Sequence, residues 1–415
     1  MITIGFCGMS HLGLCYSAAA AEKGFQVVCF DYSKNQIKKL KKFEIEVEEP
    51  ELKKLIIKNK NNIVYTDKIV KLSSCDFVYF SYDVITDSSG KSDKSILIKN
   101  LNNLIINIQK KIPLIILSQV PPGFTKNYSK IKNNLYYQVE TLIFGKAIFR
   151  ALNPERFIIG SNNPNYDLSK KYKYFLNVFN CPIFTMRYES AELAKIAINC
   201  YLASNVSLTN TLAEISYAIG ASWEEIVPTL KLDKRIGKYA YLKPGLGISG
   251  GNIERDLTSI KKIGKKEKSN IELINTIIDL SKYSKNWLYR NVNIHLRKNK
   301  YTKISILGLS YKENTNSIKN SASIELIKKI KNADIRVYDP SVKNIKIKNV
   351  IEYKTSNGAI KNSEILIIAT PWDEFRDLDL KAISLLMNGK IIIDPYKIFN
   401  EDLVKKFGFD YYSIG

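Results

Sequence analysis

Short apolar strands alternate with helical patterns at both ends of this chain, and this alternation restricts the folds that are open to it. At the N-terminus, strands predicted at residues 2–7 and 25–31 flank a helical pattern that runs to about Glu22. From Lys303 onward the same alternation resumes. Strands that alternate with helices are typical of parallel sheets covered by helices on both faces. The sequence therefore predicts an α/β protein with an N-terminal and a C-terminal Rossmann-like sheet.

The middle of the chain is predicted to be helical. Apolar residues recur at helical spacing from Ser190, the expected N-cap, to Gly220, the expected C-terminal stop. Further helical sequence continues to about Arg297 and is interrupted by the glycine-rich stretch 243–251. A chain of 415 residues is long enough for two or three domains of about 150 residues. We predict three domains, with the bounds 1–189, 190–300 and 301–415.

The composition argues against several classes of protein. The chain has 63 Lys and Arg against 40 Asp and Glu, but its basic clusters are short and lack interleaved aromatic residues. We therefore expect a solvated lysine-rich surface and no nucleic-acid partner. No uncharged apolar stretch approaches the roughly 18 residues of a membrane-spanning helix, so we expect no membrane partner. Six scattered cysteines and only two histidines predict reduced thiols, no metal site and a cytoplasmic location.

A glycine-containing turn between the first strand and the first helix indicates a ligand. Gly8 and Gly13 flank the sequence MSHL and resemble the GxGxxG fingerprint, with Ser10 at the second glycine. In this motif the helix N-terminus receives a pyrophosphate, and the Cβ of Ser10 is expected to lower the affinity. Asp31 ends the second strand, where a carboxylate accepts hydrogen bonds from ribose hydroxyls and repels a 2′-phosphate. The predicted cofactor is NAD, bound by Gly8, Ser10, His11, Leu12, Gly13 and Asp31.

Six further segments, taken together, extend this interpretation to most of the chain. They are 118–125 (similar to STVPVGxT), 139–160 (PEFLREGxAxxDxxNPDRxxxG), 192–199 (ELxKxxxN), 243–256 (KPGxGFGGSCFPKD), 306–312 (LGLAFK) and 370–375 (TxWxEF). From residue 2 to residue 394 the chain therefore resembles the UDP-glucose/GDP-mannose dehydrogenase family. The resemblance implies a homodimeric NAD-dependent oxidoreductase that acts on a CH–OH group of a nucleotide sugar. It also implies an NAD-binding domain, a central helical dimerisation domain and a C-terminal nucleotide-sugar domain.

The resemblance places catalytic residues on these segments. Lys195 and Asn199 are four residues apart on a predicted helix, so both project from one face. An ammonium group there stabilises negative charge on a carbinol oxygen and can exchange a proton. Asn199 and Asp256 can hold a water molecule or the reacting hydroxyl. Glu140 matches an acid of the family, and Asn252 stands where the family has its catalytic cysteine.

Ligand-binding residues follow from the same resemblance. Ser118 and Gln119 begin the segment that contributes to the cofactor site, and Arg235 matches an arginine that reaches the substrate of a neighbouring subunit. Lys243 and Lys312 can neutralise phosphate charge. Three glycines are expected to let the backbone approach the substrate closely: Gly245, Gly247 and Gly250.

Three departures from the family pattern bear on the reaction. Asn252 replaces the cysteine, and an amide nitrogen cannot form the covalent adduct that a second oxidation requires. Phe144 replaces an acid that would help to activate water, and Tyr396 replaces an arginine near the substrate. We therefore predict that the reaction, on a UDP-sugar, stops after one two-electron oxidation to an aldehyde or ketone. The alternatives are a conventional UDP-glucose 6-dehydrogenase that forms UDP-glucuronate and an inactive paralogue that binds UDP-sugar. β-Hydroxyacid dehydrogenases, a further rival, lack the third domain.

Overall fold

The computed structural model describes residues 2–87, 92–297, 302–331 and 333–415. The chain forms two compact units. Of the described residues, the first unit comprises 2–87 and 92–198, and the second comprises those from 199 to 415. The first unit contains the N-terminal sheet, and the second contains most of the central helices and the C-terminal sheet. The finer division at residues 189 and 300 stays a prediction.

The first unit is built on a sheet of eight strands. In chain order the strands of this unit are β1 (Thr3–Cys7), β2 (Gln26–Phe30), β3 (Ile63–Thr66), β4 (Phe77–Phe80), β5 (Ile85–Thr86), β6 (Ser92–Asp93), β7 (Leu114–Ile116), β8 (Leu135–Gln138), β9 (Phe157–Ser161) and β10 (Ile183–Arg187). β5 and β6 form a separate two-stranded sheet, and the others lie in the order β3-β2-β1-β4-β7-β8-β9-β10. Six of these strands are parallel, whereas β9 and β10 run in the opposite direction. The predicted Rossmann-like sheet is confirmed, with this reversal at one edge.

Helices pack against this sheet. In chain order they are α1 (His11–Glu22), α2 (Lys34–Lys41), α3 (Leu52–Lys58), α4 (Ser95–Asn107), α5 (Ala147–Leu152), α6 (Lys170–Asn177) and α7 (Tyr188–Ala218), with 3₁₀ turns at Lys60–Asn62, Ile69–Ser74 and Thr125–Tyr128. α1 is buried on nearly all sides, which its small residues allow, since four successive alanines (18–21) pack closely against their neighbours. Such a helix needs no amphipathic face.

The register of three central strands builds the edge at which the cofactor loop lies. Cys7, the last residue of β1, pairs with Phe30 of β2 and with Phe80 of β4. The carboxyl ends of these parallel strands therefore lie side by side, where ligands bind in open α/β sheets. This register brings together the residues that follow the three strands, Gly8, Asp31 and Ser81.

The second unit contains four further helices before a six-stranded parallel sheet with its own helices. Its elements in chain order are α8 (Trp223–Leu232), α9 (Asn252–Lys266), α10 (Glu272–Lys285), α11 (Trp287–Leu296), β11 (Thr302–Leu307), α12 (Ala322–Lys329), β12 (Ala333–Tyr338), β13 (Val350–Glu352), α13 (Ser356–Ile360), β14 (Ile365–Ile368), α14 (Asp373–Arg376), α15 (Leu380–Leu386), β15 (Ile391–Ile393), α16 (Glu401–Lys406) and β16 (Asp410–Tyr412). The strand order is β13-β12-β11-β14-β15-β16. The central strand β14 is an uninterrupted buried run, as expected for a parallel sheet covered on both faces. The predicted second Rossmann-like domain is confirmed.

The two ends of α7 are formed in different ways. The helix begins at Tyr188, so the prediction that Ser190 is its N-cap is wrong. The buried Tyr188 hydroxyl donates to the carbonyl oxygen of Leu135 at 2.8 Å, which anchors the first turn by a tertiary contact. Gly220 ends the helix as predicted, because its φ of +76° permits a backbone bond from Ala221 to the Ser216 carbonyl at 2.8 Å.

All six cysteines are free thiols, and four of them are buried. In the part of the chain that the structure describes, no helix combines the length and the apolar character needed to cross a membrane.

Candidate active site

The turn after β1 depends on its two glycines. Gly8 has a φ of +110°, and its N–H donates to the Phe30 carbonyl at 2.9 Å. A Cβ at Gly13 would lie 1.8 Å from the Gly8 carbonyl oxygen, so no other residue fits there. The turn is therefore closed by direct backbone contact, as in the glycine turns that place a helix N-terminus beside a pyrophosphate.

Asp31 closes the loop from the end of β2. One carboxylate oxygen accepts from the Met9 N–H and the other from the Ser33 N–H, both at 2.8 Å. Asp31 is only 8% exposed, so these bonds fix its carboxylate beside the glycine turn. Each carboxylate oxygen has a further lone pair for a ribose hydroxyl. The loop thus fits the adenosine ribose and the pyrophosphate of NAD.

Ser10 and an acid that the sequence did not single out meet at the N-terminus of α1. The Ser10 hydroxyl donates to the Ser81 carbonyl at 3.1 Å and accepts from the Asp83 N–H at 3.0 Å. The Asp83 carboxylate accepts from the Leu12 N–H at 3.4 Å. Asp83 follows β4, so its position near the glycine turn could have been inferred from the predicted order of parallel strands.

Glu49 links α1 to the segment that follows β8. The His11 Nε2 atom lies 3.0 Å from a Glu49 oxygen, and the Glu49 carboxylate also accepts from the Gly145 and Ala147 N–H groups at 3.0 and 2.8 Å. Burial opposes the ionisation of Glu49, but these three hydrogen bonds hold its pKa below the usual range. The Phe144 ring packs against the His11 ring, with 4.3 Å between centroids. An aromatic pair thus occupies the place predicted for the second acid.

Lys195 and Glu140 form an ion pair. The Lys195 Nζ atom lies 2.8 Å from a Glu140 oxygen, and the two side chains are only 11% and 14% exposed. The second Glu140 oxygen accepts from the Leu142 N–H at 3.0 Å. The two predicted catalytic residues that lie in the first unit are therefore in direct contact, in surroundings where a charge is only partly hydrated.

Glu192, one turn before Lys195 on α7, binds the backbone of segment 118–125, which is predicted to contribute to the cofactor site. Its two carboxylate oxygens accept from the Gly123 and Thr125 N–H groups at 2.6 and 2.8 Å. Burial raises the pKa of Glu192 to about 7. Ser118 is buried after β7, where its hydroxyl donates to the Phe80 carbonyl at 3.4 Å, and Gln119 is partly buried.

In the second unit, Asn199 and Asp256 are in contact. The Asn199 side-chain amide donates to an Asp256 oxygen at 2.5 Å, and both residues are buried. The Arg255 guanidinium lies 3.5 Å from the other Asp256 oxygen. Burial, followed by the charge of Asp256, raises the pKa of the neighbouring Cys200 thiol to about 11.

The glycine-rich loop before α9 is closely packed. Gly247 and Gly250 have φ values of +76° and +91°. A Cβ at Gly250 would lie 2.5 Å from the Tyr311 ring, and one at Gly245 would lie 3.2 Å from the Tyr396 ring. These glycines therefore bring the loop against aromatic side chains. Asn252 is exposed as the first residue of α9.

The start of α9 is held by a glutamate that the sequence did not single out. Glu254 accepts from the Lys285 ammonium at 2.7 Å and from the Asn320 amide at 2.5 Å. Lys285 is only 7% exposed, so this contact is largely withdrawn from water. Glu254 thereby fixes the turn of helix that carries Asn252 and Asp256.

The three cationic residues that are predicted to bind the substrate lie at different places in the second unit. Arg235 is exposed and pairs with Asp233 of the same chain at 2.6 Å. Lys243 lines a cavity of about 490 Å³ in the second unit. Lys312 lies 5.9 Å above the Tyr311 ring. The wall of the cavity combines aromatic, cationic and acidic side chains, among them Trp223, Glu224, Lys231, Tyr241, Lys243, Tyr396 and Lys397. The Lys397 ammonium lies 3.9 Å from a Glu224 oxygen.

The second sheet repeats the glycine–aspartate geometry of the first. Gly308, with a φ of +96°, follows β11, and Asp339 follows β12. One Asp339 oxygen accepts from Leu309 N, Ser310 N and Trp372 Nε1 at 2.7, 3.0 and 3.2 Å. The other Asp339 oxygen accepts from the Ser341 and Val342 N–H groups, both at 2.8 Å. Asp339, unlike Asp31, thus has no lone pair left for a ribose hydroxyl. Asp339 is therefore a structural acid. Within the described ranges, no group of three His, Cys, Asp or Glu side chains is arranged to hold a metal ion.

A parallel sheet with a glycine turn, an acid after β2 and a partly buried Lys–Glu pair defines a dinucleotide-dependent oxidoreductase. Comparison with known proteins agrees. Three models of the UDP-glucose/GDP-mannose dehydrogenase family match the chain: the NAD-binding domain at residues 2–176, the central domain at 189–283 and the UDP-binding domain at 305–401. The chain belongs to the UDP-glucose/GDP-mannose dehydrogenase family, and it is an NAD-dependent nucleotide-sugar dehydrogenase.

The similarity to known proteins covers the whole chain. The UDP-glucose 6-dehydrogenase of Rickettsia prowazekii is 28% identical over 100% of this chain and 99% of its own. The UDP-glucose 6-dehydrogenase TuaD of Bacillus subtilis is 27% identical over 100% and 93%. Among solved structures, a UDP-glucose dehydrogenase from Pyrobaculum islandicum matches with a TM-score of 0.86 at 20% identity, over 100% of this chain and 97% of that one. This last likeness concerns the fold.

Proposed function

We propose that this dehydrogenase removes one pair of electrons from a UDP-sugar and releases an aldehyde or ketone. The observation that carries the proposal is the side chain at position 252. Asn252 is exposed at the start of α9, on the loop where the family carries its nucleophile. An amide cannot add to an aldehyde to form the covalent adduct from which a second hydride would leave. Without that adduct the reaction ends after one oxidation.

Cys200 offers no replacement for the missing thiol. With a pKa raised to about 11 by burial and by Asp256, the Cys200 thiol is almost fully protonated at neutral pH. A thiol, unlike a thiolate, is a poor nucleophile. The packing of Phe144 on His11 supports the same conclusion, since a phenyl ring cannot activate water to hydrolyse a thioester.

The partly buried ion pair of Lys195 and Glu140 suits the chemistry of a single oxidation. When bound, NAD⁺ supplies the acceptor for the hydride, while the substrate hydroxyl must lose a proton. Lys195 can stabilise the negative charge that develops on the carbinol oxygen, and Glu140, 2.8 Å away, can accept a proton relayed through Lys195. We assign to Asn199 and Asp256 the orientation of the reacting hydroxyl.

We assign the nucleotide part of the substrate to the second unit. The cavity beside Lys243 presents aromatic faces on which a base can stack and ammonium groups that can neutralise a diphosphate. Tyr396 contributes a neutral ring where the family has an arginine. By resemblance to the family we assign Gly245, Gly247 and Gly250 to the backbone that faces the substrate, and Lys312 is a further candidate for a phosphate contact.

We also propose a homodimer in the cytoplasm. Large apolar side chains form an exposed stripe along α7 and the turn that follows it, at steps of seven, four, three and four residues: Tyr201, Leu208, Leu212, Ile215 and Ile219. Such spacing forms one continuous face of a helix, which a second copy can cover. Leu208→Asp together with Ile215→Asp should give a monomer by light scattering, and a monomeric wild-type protein would contradict this part of the proposal.

A second candidate is a conventional UDP-glucose 6-dehydrogenase. It is favoured by the names of the relatives that are 27% and 28% identical. An inactive UDP-sugar-binding paralogue is the third. A product mass after incubation with NAD and a panel of UDP-, GDP- and CDP-sugars separates them. We expect an aldehyde or ketone, two hydrogens lighter than a UDP-sugar. A uronate supports the second candidate, and binding without any product supports the third.

A further inference from the structure

The carboxylate of Asp83 contacts the part of the cofactor loop that a pyrophosphate needs. One Asp83 oxygen accepts from the N–H of Leu12, the second residue of α1, at 3.4 Å. The N–H groups in the first turn of a helix have no acceptor within the helix, so they are the donors that α1 offers to an anion. In this structure one of those donors is already used by an internal anion.

Ser10 holds Asp83 in this position. Its hydroxyl accepts from the Asp83 N–H at 3.0 Å and donates to the Ser81 carbonyl at 3.1 Å. A glycine at position 10 would provide neither bond. The serine and the aspartate therefore form one arrangement, in which the serine fixes the backbone that carries the carboxylate. Asp83 as a whole is exposed, whereas its carboxyl group lies among protein atoms, and this desolvation raises the pKa of Asp83.

The helix terminus cannot stabilise both anions at once. It carries the equivalent of roughly half a positive charge. A pyrophosphate brings two negative charges, and like charges at hydrogen-bond separation repel each other even in water. The cofactor must therefore either displace the Asp83 side chain from Leu12 or bind beside it against repulsion. Both routes reduce its affinity.

We propose that Asp83 competes with the pyrophosphate of NAD for the N-terminus of α1 and thereby sets the affinity of this protein for its cofactor. The inference rests on the NAD site that the proposed function uses. It assigns to Asp83 and Ser10 a joint effect on cofactor affinity, separate from the chemistry at Lys195. Removal of one negative charge from a binding site that already fits its ligand is then expected to improve binding.

The test is the dissociation constant of NAD, measured by isothermal titration calorimetry without any sugar. Asp83→Asn keeps an oxygen for the Leu12 N–H but removes the charge, and we expect the dissociation constant to fall about tenfold. The difference from wild type should shrink as the salt concentration rises. Ser10→Gly should also strengthen binding. Asp167→Asn removes the same charge from an exposed pair with Lys173 and should leave the constant unchanged.

The outcomes separate this inference from the proposed function. If the wild-type protein binds NAD and Asp83→Asn binds it equally or more weakly, the competition is disproved and the proposed function stands. If Asp167→Asn tightens binding as much as Asp83→Asn, the effect is one of overall charge and the inference is wrong. A wild-type protein that binds no NAD would overturn both. Thermal unfolding of each variant verifies that it is folded.

Discussion

The ammonium of Lys195 lies 2.8 Å from a carboxylate oxygen of Glu140, and both side chains are largely withdrawn from solvent. A pair in this position can stabilise an oxyanion and transfer a proton without rearrangement. Its two members depend on each other, because removal of either leaves a poorly hydrated charge without its partner.

Lys195→Met should lower kcat by about 100-fold to 1,000-fold, because the charge that develops on the carbinol oxygen loses its stabilising cation. The KM for NAD should change little. Single-turnover absorbance at the NADH band measures this step. Glu140→Gln should lower kcat by a smaller factor in the Lys195→Met background than in the wild-type protein, since the two groups act together. An activity of Lys195→Met within threefold of wild type would show that another group stabilises the oxyanion.

Asn252→Cys should restore the first part of the second oxidation. The new thiol can add to the aldehyde, and loss of a second hydride then gives a thioester. Because Phe144 provides no carboxylate, hydrolysis should be slow, and an acyl-enzyme should accumulate. Intact-protein mass spectrometry detects it. Cys200→Ser is the matched control and should neither form an adduct nor change the NADH yield. Absence of an adduct in Asn252→Cys would mean that position 252 does not reach the reacting carbon.

Glu192 should make the stability of the protein depend on pH. Its pKa is raised to about 7 by burial, so the folded protein holds a proton there that the unfolded chain loses above pH of about 4.5. The stabilisation is complete below the unfolded pKa and is lost as the pH rises through about 7, a change on the order of 3 kcal/mol. Urea unfolding between pH 4.5 and 8 measures it. Glu192→Gln should remove this decline, and a decline equal to that of wild type would refute the assignment.

The hydrogen bond between His11 and Glu49 should contribute to NAD binding. Glu49→Gln should raise the dissociation constant about fivefold, since it weakens the tie that holds the first residue of α1. His11→Phe keeps a ring against Phe144 but removes the bond, so Glu49→Gln should have little further effect in that background. Equal effects in both backgrounds would indicate a purely structural role through Gly145 and Ala147. Glu51→Gln, at an exposed pair with Lys54, is the control.

Local sequence signals predicted the parts of the fold that depend on local chemistry. The glycine turn at Gly8, the acid at Asp31 and the helix end at Gly220 each follow from backbone geometry or from strand order, and each is present. The four-residue spacing of Lys195 and Asn199 likewise places both on α7.

The contacts that the sequence did not predict join distant segments. His11 and Glu49 are 38 residues apart, and Leu12 and Asp83 are 71 apart. The start of α7 at Tyr188 depends on a bond to Leu135 rather than on a cap. The reversal of β9 and β10 has no local signature either. Such features arise from tertiary packing, which overrides local preference.

The ratio of NADH formed to sugar consumed shows how many oxidations the protein performs on each substrate molecule. The absorbance of NADH and the chromatographic loss of the UDP-sugar are measured in the same reaction, with the product identified by mass. We expect one NADH per sugar and a carbonyl product, because Asn252 provides no nucleophile for a second oxidation. Two NADH per sugar, together with a uronate, would contradict the single oxidation that we propose.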